Sequence, residues 1–245
     1  MERTFQSKPF YYRLSGDYAL FTDPATKGGG EKFTYQIPTY QAIKGITEGI
    51  YWKPTLITYI DEVKVINPIR TETMGMRPIV TTGNGGNDLS YYTYLKDVEY
   101  LVKFHFEWNL NRPDLAKDRQ EIKHQQILLR SLDKGGRRDI FIGTRECMGF
   151  IERLTAEEYE EAVSHYQGQR LNFGLTFHSF TYPDEAYDEA TEGKLTSNFT
   201  SIQMADGSIT FCRPEDCDVH HILQEGVMKP FTLETIKTVD EEHEE

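Results

Sequence analysis

Between Val98 and Trp108 the apolar residues Val98, Tyr100, Val102, Phe104, Phe106 and Trp108 occupy every second position, with mostly polar residues between them. A period of two sustained over this length is the mark of a half-buried β-strand, because successive side chains of a strand point to opposite faces. The chain must therefore build a sheet around that strand and cover one of its faces with other elements.

The flanking segments supply the cover. A first strand is expected from Phe10 to Phe21, ending at Asp23-Pro24 before a glycine loop, Lys27 to Glu31. Thr39, after Pro38, is a helix N-cap, and Ala42, Ile43, Ile46 and Ile50 recur at helical spacing until Lys53-Pro54 ends the helix. Thr55 to Ile66 reads as a strand. An inserted hairpin or loop near residues 68–94 follows, and its Gly83-Asn84-Gly85-Gly86-Asn87 run is expected to be mobile. After Trp108 comes an arginine-rich helix containing Arg112 to His124. Asn111 or Asp114 caps it, Pro113 sits early, Leu115, Ile122, Leu129 and Leu132 form its buried stripe, and Gly135-Gly136 stops it. Asp139 to Phe150 reads as a further strand. The order β-α-β-β-α-β is the split βαβ, or ferredoxin-like, arrangement on which RNA-recognition modules are also built.

The expected class is thus α+β, with a ferredoxin-like N-terminal domain over residues 1–152 and a smaller antiparallel β domain over 153–231. The second domain opens with an acidic helix, Ala156 to His165. It continues through a strand, Leu171 to Tyr182, in which Leu171, Phe173, Leu175 and Phe177 alternate. Asp206-Gly207 between two strand-like runs signals a hairpin. Residues 232–245 form an acidic tail expected to be disordered.

A net charge of −12 excludes indiscriminate nucleic-acid binding by the surface as a whole. Locally the balance reverses. Arg112, Lys117, Arg119, Lys123, Arg130, Lys134, Arg137, Arg138 and Arg145 outnumber the carboxylates between them, which marks this stretch as the anionic-ligand surface. The N-terminus lacks an apolar signal core and no apolar run reaches bilayer-spanning length, so a cytoplasmic location is expected. Three cysteines, Cys147, Cys212 and Cys217, are too few and odd in number for a disulfide framework, which suits a reducing compartment and leaves the sequon at Asn198 idle.

Chemistry concentrates at Lys123-His124. An imidazole with an ordinary pKa of about 6.5 both accepts and donates protons near neutrality, and a neighbouring ammonium stabilises a charged phosphorane, a combination suited to RNA cleavage by an adjacent 2′-hydroxyl. The competing reading is a solvated dipeptide on a helix's polar face. On the expected wheel His124 lies nearly opposite the apolar stripe, open to solvent or ligand. Tyr51-Trp52 at the end of the first helix is either an aromatic lid on the core or, at Tyr51, a polar handle over a sheet edge. Gly135-Gly136-Arg137-Arg138 reads equally as a phosphate cradle or as a helix C-cap followed by surface arginines. Cys212-x4-Cys217 with His220-His221 superficially suggests zinc, but the spacing is wide and no second cysteine pair exists, so no metal is expected. Glu157-Glu158 and Glu160-Glu161 lie on a solvated face and offer no converging carboxylates for metal-dependent hydrolysis.

Several longer motifs occur in order: Gly16 to Pro24, Pro38 to Ile46, Ile50-Tyr51-Trp52-Lys53-Pro54-Thr55, Arg112 to His124, Gly136 to Phe141, and Arg213-Pro214-Glu215-Asp216-Cys217. Together they resemble the CRISPR-associated protein of Cas family five in subtype I-C systems, over most of residues 10–230. The resemblance implies a RAMP-type protein whose N-terminal domain is ferredoxin-like and which cuts precursor CRISPR RNA at the base of the repeat hairpin. It implies no cofactor and no metal, a 2′,3′-cyclic phosphate and a 5′-hydroxyl as product ends, and retention on the 5′ handle. The implied partners are precursor and mature CRISPR RNA and the backbone and large subunits of the surveillance complex. Target DNA is reached only indirectly, and no membrane is involved. The family's catalytic tyrosine, lysine and histidine fall on Tyr51, Lys123 and His124. Arg112, Lys117, Arg119, Arg137, Arg138 and Arg145 are the expected RNA-binding residues. Most other branches of the family only bind processed RNA, so a non-catalytic 5′-handle scaffold is the alternative.

Overall fold

The structure is a computed structural model that describes residues 5–24, 26, 31–77 and 89–225. Most of the expected glycine loop at 27–31, the Gly83–Asn87 run and the acidic tail lie outside the described residues. The architecture is mixed α/β and mostly antiparallel, with few helices.

The alternating segment is the core of β5 (Ser90–Trp108), a strand of 19 residues. It pairs antiparallel with β1 (Phe10–Ala19) on one side and β3 (Leu56–Val65) on the other, and β1 pairs in turn with β7 (Met148–Leu154). The order β3-β5-β1-β7 is the centre of one sheet. Phe104, Val102 and Tyr100 of β5, with Tyr12 and Leu14 of β1, bury their alternate side chains against the helices. The expected excursion is in part a hairpin arm: β4 (Thr71–Met76) pairs with the first residues of β5, and the two-residue β2 (Lys32–Phe33) lies parallel to β5 beside them.

Helix α1 (Tyr40–Ile50) forms where the spacing placed it. Thr39 Oγ1 accepts from the Ala42 N–H at 3.2 Å, and Tyr40, Ile43, Ile46 and Ile50 are buried. Thr47 Oγ1 bonds the buried Tyr12 hydroxyl at 2.8 Å, pinning the helix to β1.

The second helix departs from expectation. Residues Pro113–Asp118 form a 3₁₀ turn, Arg119 and Gln120 leave helical geometry, and α2 runs only from Glu121 to Asp133. Leu115 therefore belongs to a different element, and Ile122 is 76% exposed. The observed buried line is His124, Leu128 and Leu132, spaced i, i+4, i+8. Centring the face on Leu128 puts His124 about 40° away and Ile122 about 120° away at 100° per residue, which is why the stripe drawn through Ile122 had the wrong phase. Gly135 and Gly136 end α2 with positive φ, their N–H groups returning to Leu132 and Ser131. The expected strand Asp139 to Phe150 resolves into β6 (Ile140–Phe141) and β7, joined by a turn at Gly143.

The C-terminal segments continue the same sheet. A capping box between Thr155 and Glu158 starts α3 (Ala156–Glu161). β8 (Arg170–Thr181), β9 (Lys194–Ala205) and β11 (Val219–Glu225) pair antiparallel around β9. Asp206-Gly207, both at positive φ, turns β9 into β10 (Ser208–Thr210), which pairs with β3 and joins these strands to the central ones.

Candidate active site

Tyr51 is the residue at which α1 ends. Its N–H still bonds Thr47, but its extended backbone (φ −157°, ψ 125°) turns the ring away from the helix axis. The ring meets α2: Tyr51 Oη lies 2.8 Å from His124 Nδ1, between residues 73 apart in sequence. His124 is fully buried, contrary to the solvent-open position expected for it. Its Nε2 lies 2.7 Å from the Asp118 backbone oxygen. A carbonyl only accepts, so Nε2 carries the proton, and the neutral ring's Nδ1 is the acceptor for the Tyr51 hydroxyl. Two satisfied nitrogens make the burial tolerable. The edges of Trp108 and Phe106 close the ring in, with centroids at 5.7 and 6.4 Å.

Asp118, which sequence reasoning passed over, organises the site. Its carboxylate forms an ion pair with Lys123, accepts from Thr55 Oγ1 at 2.7 Å and stands 3.5 Å from His124 Nε2. The Lys123 bond holds its pKa below the usual carboxylate value, helped by Thr55. The break at Arg119-Gln120 is what folds Asp118 back over the first turn of α2. Lys123 remains 42% exposed at its side chain. Tyr51 titrates above its ordinary value, first through burial and then through Asp118, while the Arg137 guanidinium pulls the other way. The structure thus gathers Tyr51, His124, Lys123 and Asp118, with Arg137 acting on Tyr51 across the gap. Trp52, read as a lid on the core, is instead 43% exposed beside them.

The sequence pattern of the CRISPR-associated protein (Cas_Cas5) family matches residues 11–212. The chain belongs to that family. A solved structure described as a CRISPR-associated protein is 44% identical, with TM-score 0.76, covering 89% of this chain and 99% of that one. SMU1763c from Streptococcus mutans is 46% identical, with TM-score 0.74, covering 89% and 100%. The CRISPR pre-crRNA endoribonuclease Cas5d of Mannheimia succiniciproducens is 28% identical over 141 residues, 49% of this chain and 60% of that relative. The Thermus thermophilus protein of the same name is 27% identical over 175 residues, 67% of this chain and 72% of that relative.

In this family member the cations expected to bind RNA divide into two sets. Lys117, Arg137, Arg138 and Arg145 are exposed. Arg112 is held in a two-pronged pair with Asp114 at 3.0 and 2.8 Å, and Arg119 turns inward, donating to the backbone oxygens of Asn109 and Arg112 at 2.9 and 3.1 Å. Arg119 thereby fastens the 3₁₀ turn that carries Asp118. Gly135-Gly136 serve as the helix C-cap, with the arginines after them on the surface.

Two buried charge clusters had no signal in the sequence. Lys44 of α1 lies 2.5 Å from Glu185 and 3.8 Å from Glu48. Burial raises Glu48 to about 7, against the opposing pull of Lys44. On β5, burial would lower His105, but its bonds to Asp61 and Glu107 outweigh that and raise it. Glu107 also pairs with Arg213, whose guanidinium stacks 4.4 Å over Tyr59. Asn198 is buried and donates to Ser179 and Thr181, which leaves its sequon closed to modification in the folded chain. His220 bonds Asn198 Oδ1 at 2.9 Å rather than facing the cysteines. Among the described residues no helix is long and apolar enough to cross a membrane.

Proposed function

We propose that this chain cleaves precursor CRISPR RNA at the base of the repeat hairpin by attack of the adjacent 2′-hydroxyl, giving a 2′,3′-cyclic phosphate and a 5′-hydroxyl. It then stays on the 5′ handle, in the cytoplasm, beside the backbone and large subunits of a type I-C surveillance complex that reads target DNA. The carrying observation is the 2.8 Å bond between Tyr51 Oη and His124 Nδ1. Two relatives named as pre-crRNA endoribonucleases support the same reading.

The buried imidazole communicates with RNA through the tyrosine. As the 2′-hydroxyl proton passes to Tyr51 Oη, the phenolic proton moves to His124 Nδ1, and the imidazolium formed is held by the Asp118 carbonyl at Nε2. The relay runs in the reverse direction to protonate a departing 5′-oxygen. Lys123 commits one N–H to Asp118 and keeps two for the phosphorane oxygens. The exposed Lys117, Arg137, Arg138 and Arg145 hold phosphates outside this centre. We read the β1-α1-β3-β5-α2-β7 unit as ferredoxin-like, with the central strand order in support, and place a domain division near residue 152.

One observation favours a scaffold that binds the 5′ handle without cutting: His124 has both nitrogens occupied and no exposure. Labelled repeat RNA incubated with the protein in EDTA separates the two. Shortened RNA with a cyclic phosphate end supports cleavage, whereas a gel shift of intact RNA overturns it. A 2′-deoxy substitution at the scissile nucleotide must abolish cutting, since cutting without that hydroxyl excludes the internal nucleophile.

A further inference from the structure

His178 of β8 is fully buried, stacked on Tyr40 at 4.4 Å, and its Nε2 has no hydrogen-bond partner. Its Nδ1 lies 2.9 Å from Ser179 Oγ. A buried ring nitrogen left without a partner is destabilising unless something fills its lone-pair direction. Next to it stand Cys212 and Cys217, and one donor atom from each of the three residues lies within 4.8 Å of the others. Neither cysteine forms a disulfide.

We propose that His178, Cys212 and Cys217 bind one zinc ion, with water in the fourth position on the half-exposed Cys212 side. The two sulfurs are 3.8 Å apart. That is far from the roughly 2.05 Å of a disulfide. It matches the roughly 3.8 Å that separates two thiolates on a tetrahedral zinc with bonds of about 2.3 Å. The donor set, two thiolates and an imidazole, is one zinc takes readily. Ser179 Oγ, which already accepts from Asn198, is placed to accept the His178 Nδ1 proton and so leave the Nε2 lone pair free for metal.

The ion would clip the turn at residues 213–217 onto β8. That turn carries Arg213, which reaches Glu107 and Tyr59, so the clip fixes where that guanidinium sits. It takes no part in RNA cleavage. Tyr40 and Tyr51 are at opposite ends of α1, about 16 Å apart at 1.5 Å per residue, and stripping zinc leaves the relay in place.

The test uses the full chain, purified reduced and without a histidine tag, stripped with a chelator and titrated with cobalt(II). The expected result is one cobalt per chain, a near-ultraviolet thiolate-to-metal charge-transfer band that zinc abolishes, and a higher melting temperature with zinc. Cys212→Ser, at a half-exposed position, removes the band, and Cys147→Ser leaves it. No charge-transfer band in the reduced wild type, or a band that survives Cys212→Ser, overturns the site. So does a reduced protein that binds neither metal and closes a Cys212–Cys217 disulfide on air exposure. The cobalt spectrum reads neither RNA nor rate, so its failure is separate from any failure of the cleavage reading.

Discussion

Helix α1 presents a tyrosine to a buried histidine at each end, and the two pairs are built differently. At its C-terminal end Tyr51 hydrogen-bonds His124, whose other nitrogen is also occupied. At its N-terminal end Tyr40 only stacks on His178, whose Nε2 is left open. Burial by itself therefore does not tell the two histidines apart. What differs is the polar accounting around each ring: the satisfied ring is locked in one tautomer and suited to passing a proton, whereas the unsatisfied one waits for a ligand.

The sharpest way to break this contrast is His124→Ala. It should lower single-turnover cleavage of repeat RNA by about 10²–10⁴. If the variant's melting temperature falls while the folded fraction cuts at the parent rate, His124 is a core residue like any other. Between the two ends lies Glu48, held near neutrality by burial. Because its folded pKa of about 7 is above its ordinary 4.5, the folded chain binds that proton more tightly than the unfolded one. Its contribution to stability is complete below about pH 4.5 and is lost as pH rises through about 7. Urea unfolding should show Glu48→Gln gaining on the parent by no more than about 3 kcal/mol over that window, with no gain at all if Lys44 keeps the carboxylate ionised throughout.

Tyr51→Phe tests the relay with little change in shape. Cleavage should fall by about 10² with the fold retained, as circular dichroism would report, and an unchanged rate would mean that His124 reaches RNA by another route. The smallest effect belongs to Thr39→Ala, which removes the cap at the His178 end and should cost about 1 kcal/mol of stability in denaturant titration. Cleavage at the far end of the helix should be unaffected.

Where a single element determined its own structure, the sequence was readable. The alternation of β5, the Thr39 cap, the aliphatic spacing of α1 and the Asp206-Gly207 turn are local signals, and each appears as expected. Tyr51 and His124, which the family resemblance paired across 73 residues, lie 2.8 Å apart in the fold. Their environment was not legible. The phase of α2 depends on where the 3₁₀ turn stops, and that is decided by Arg119 reaching back to the Asn109 and Arg112 carbonyls, a tertiary choice with no local pattern. Asp118 looked like one carboxylate among several until the break folded it over His124. His178 lies 34 residues before Cys212, and only the pairing of β8 with β9 brings it near.

The long β5 strand also dictates the order in which this chain can assemble. Phe10 pairs with Phe104, and Tyr11 on the other register pairs with Leu154. At roughly 5–20 residues per second of synthesis, β1 is made at least about 4 s before its first partner exists and longer before its second. Until then its aromatic face has no sheet to join. A protein whose first strand must wait for its middle is one whose folding rate is governed by long-range closure rather than by helix formation.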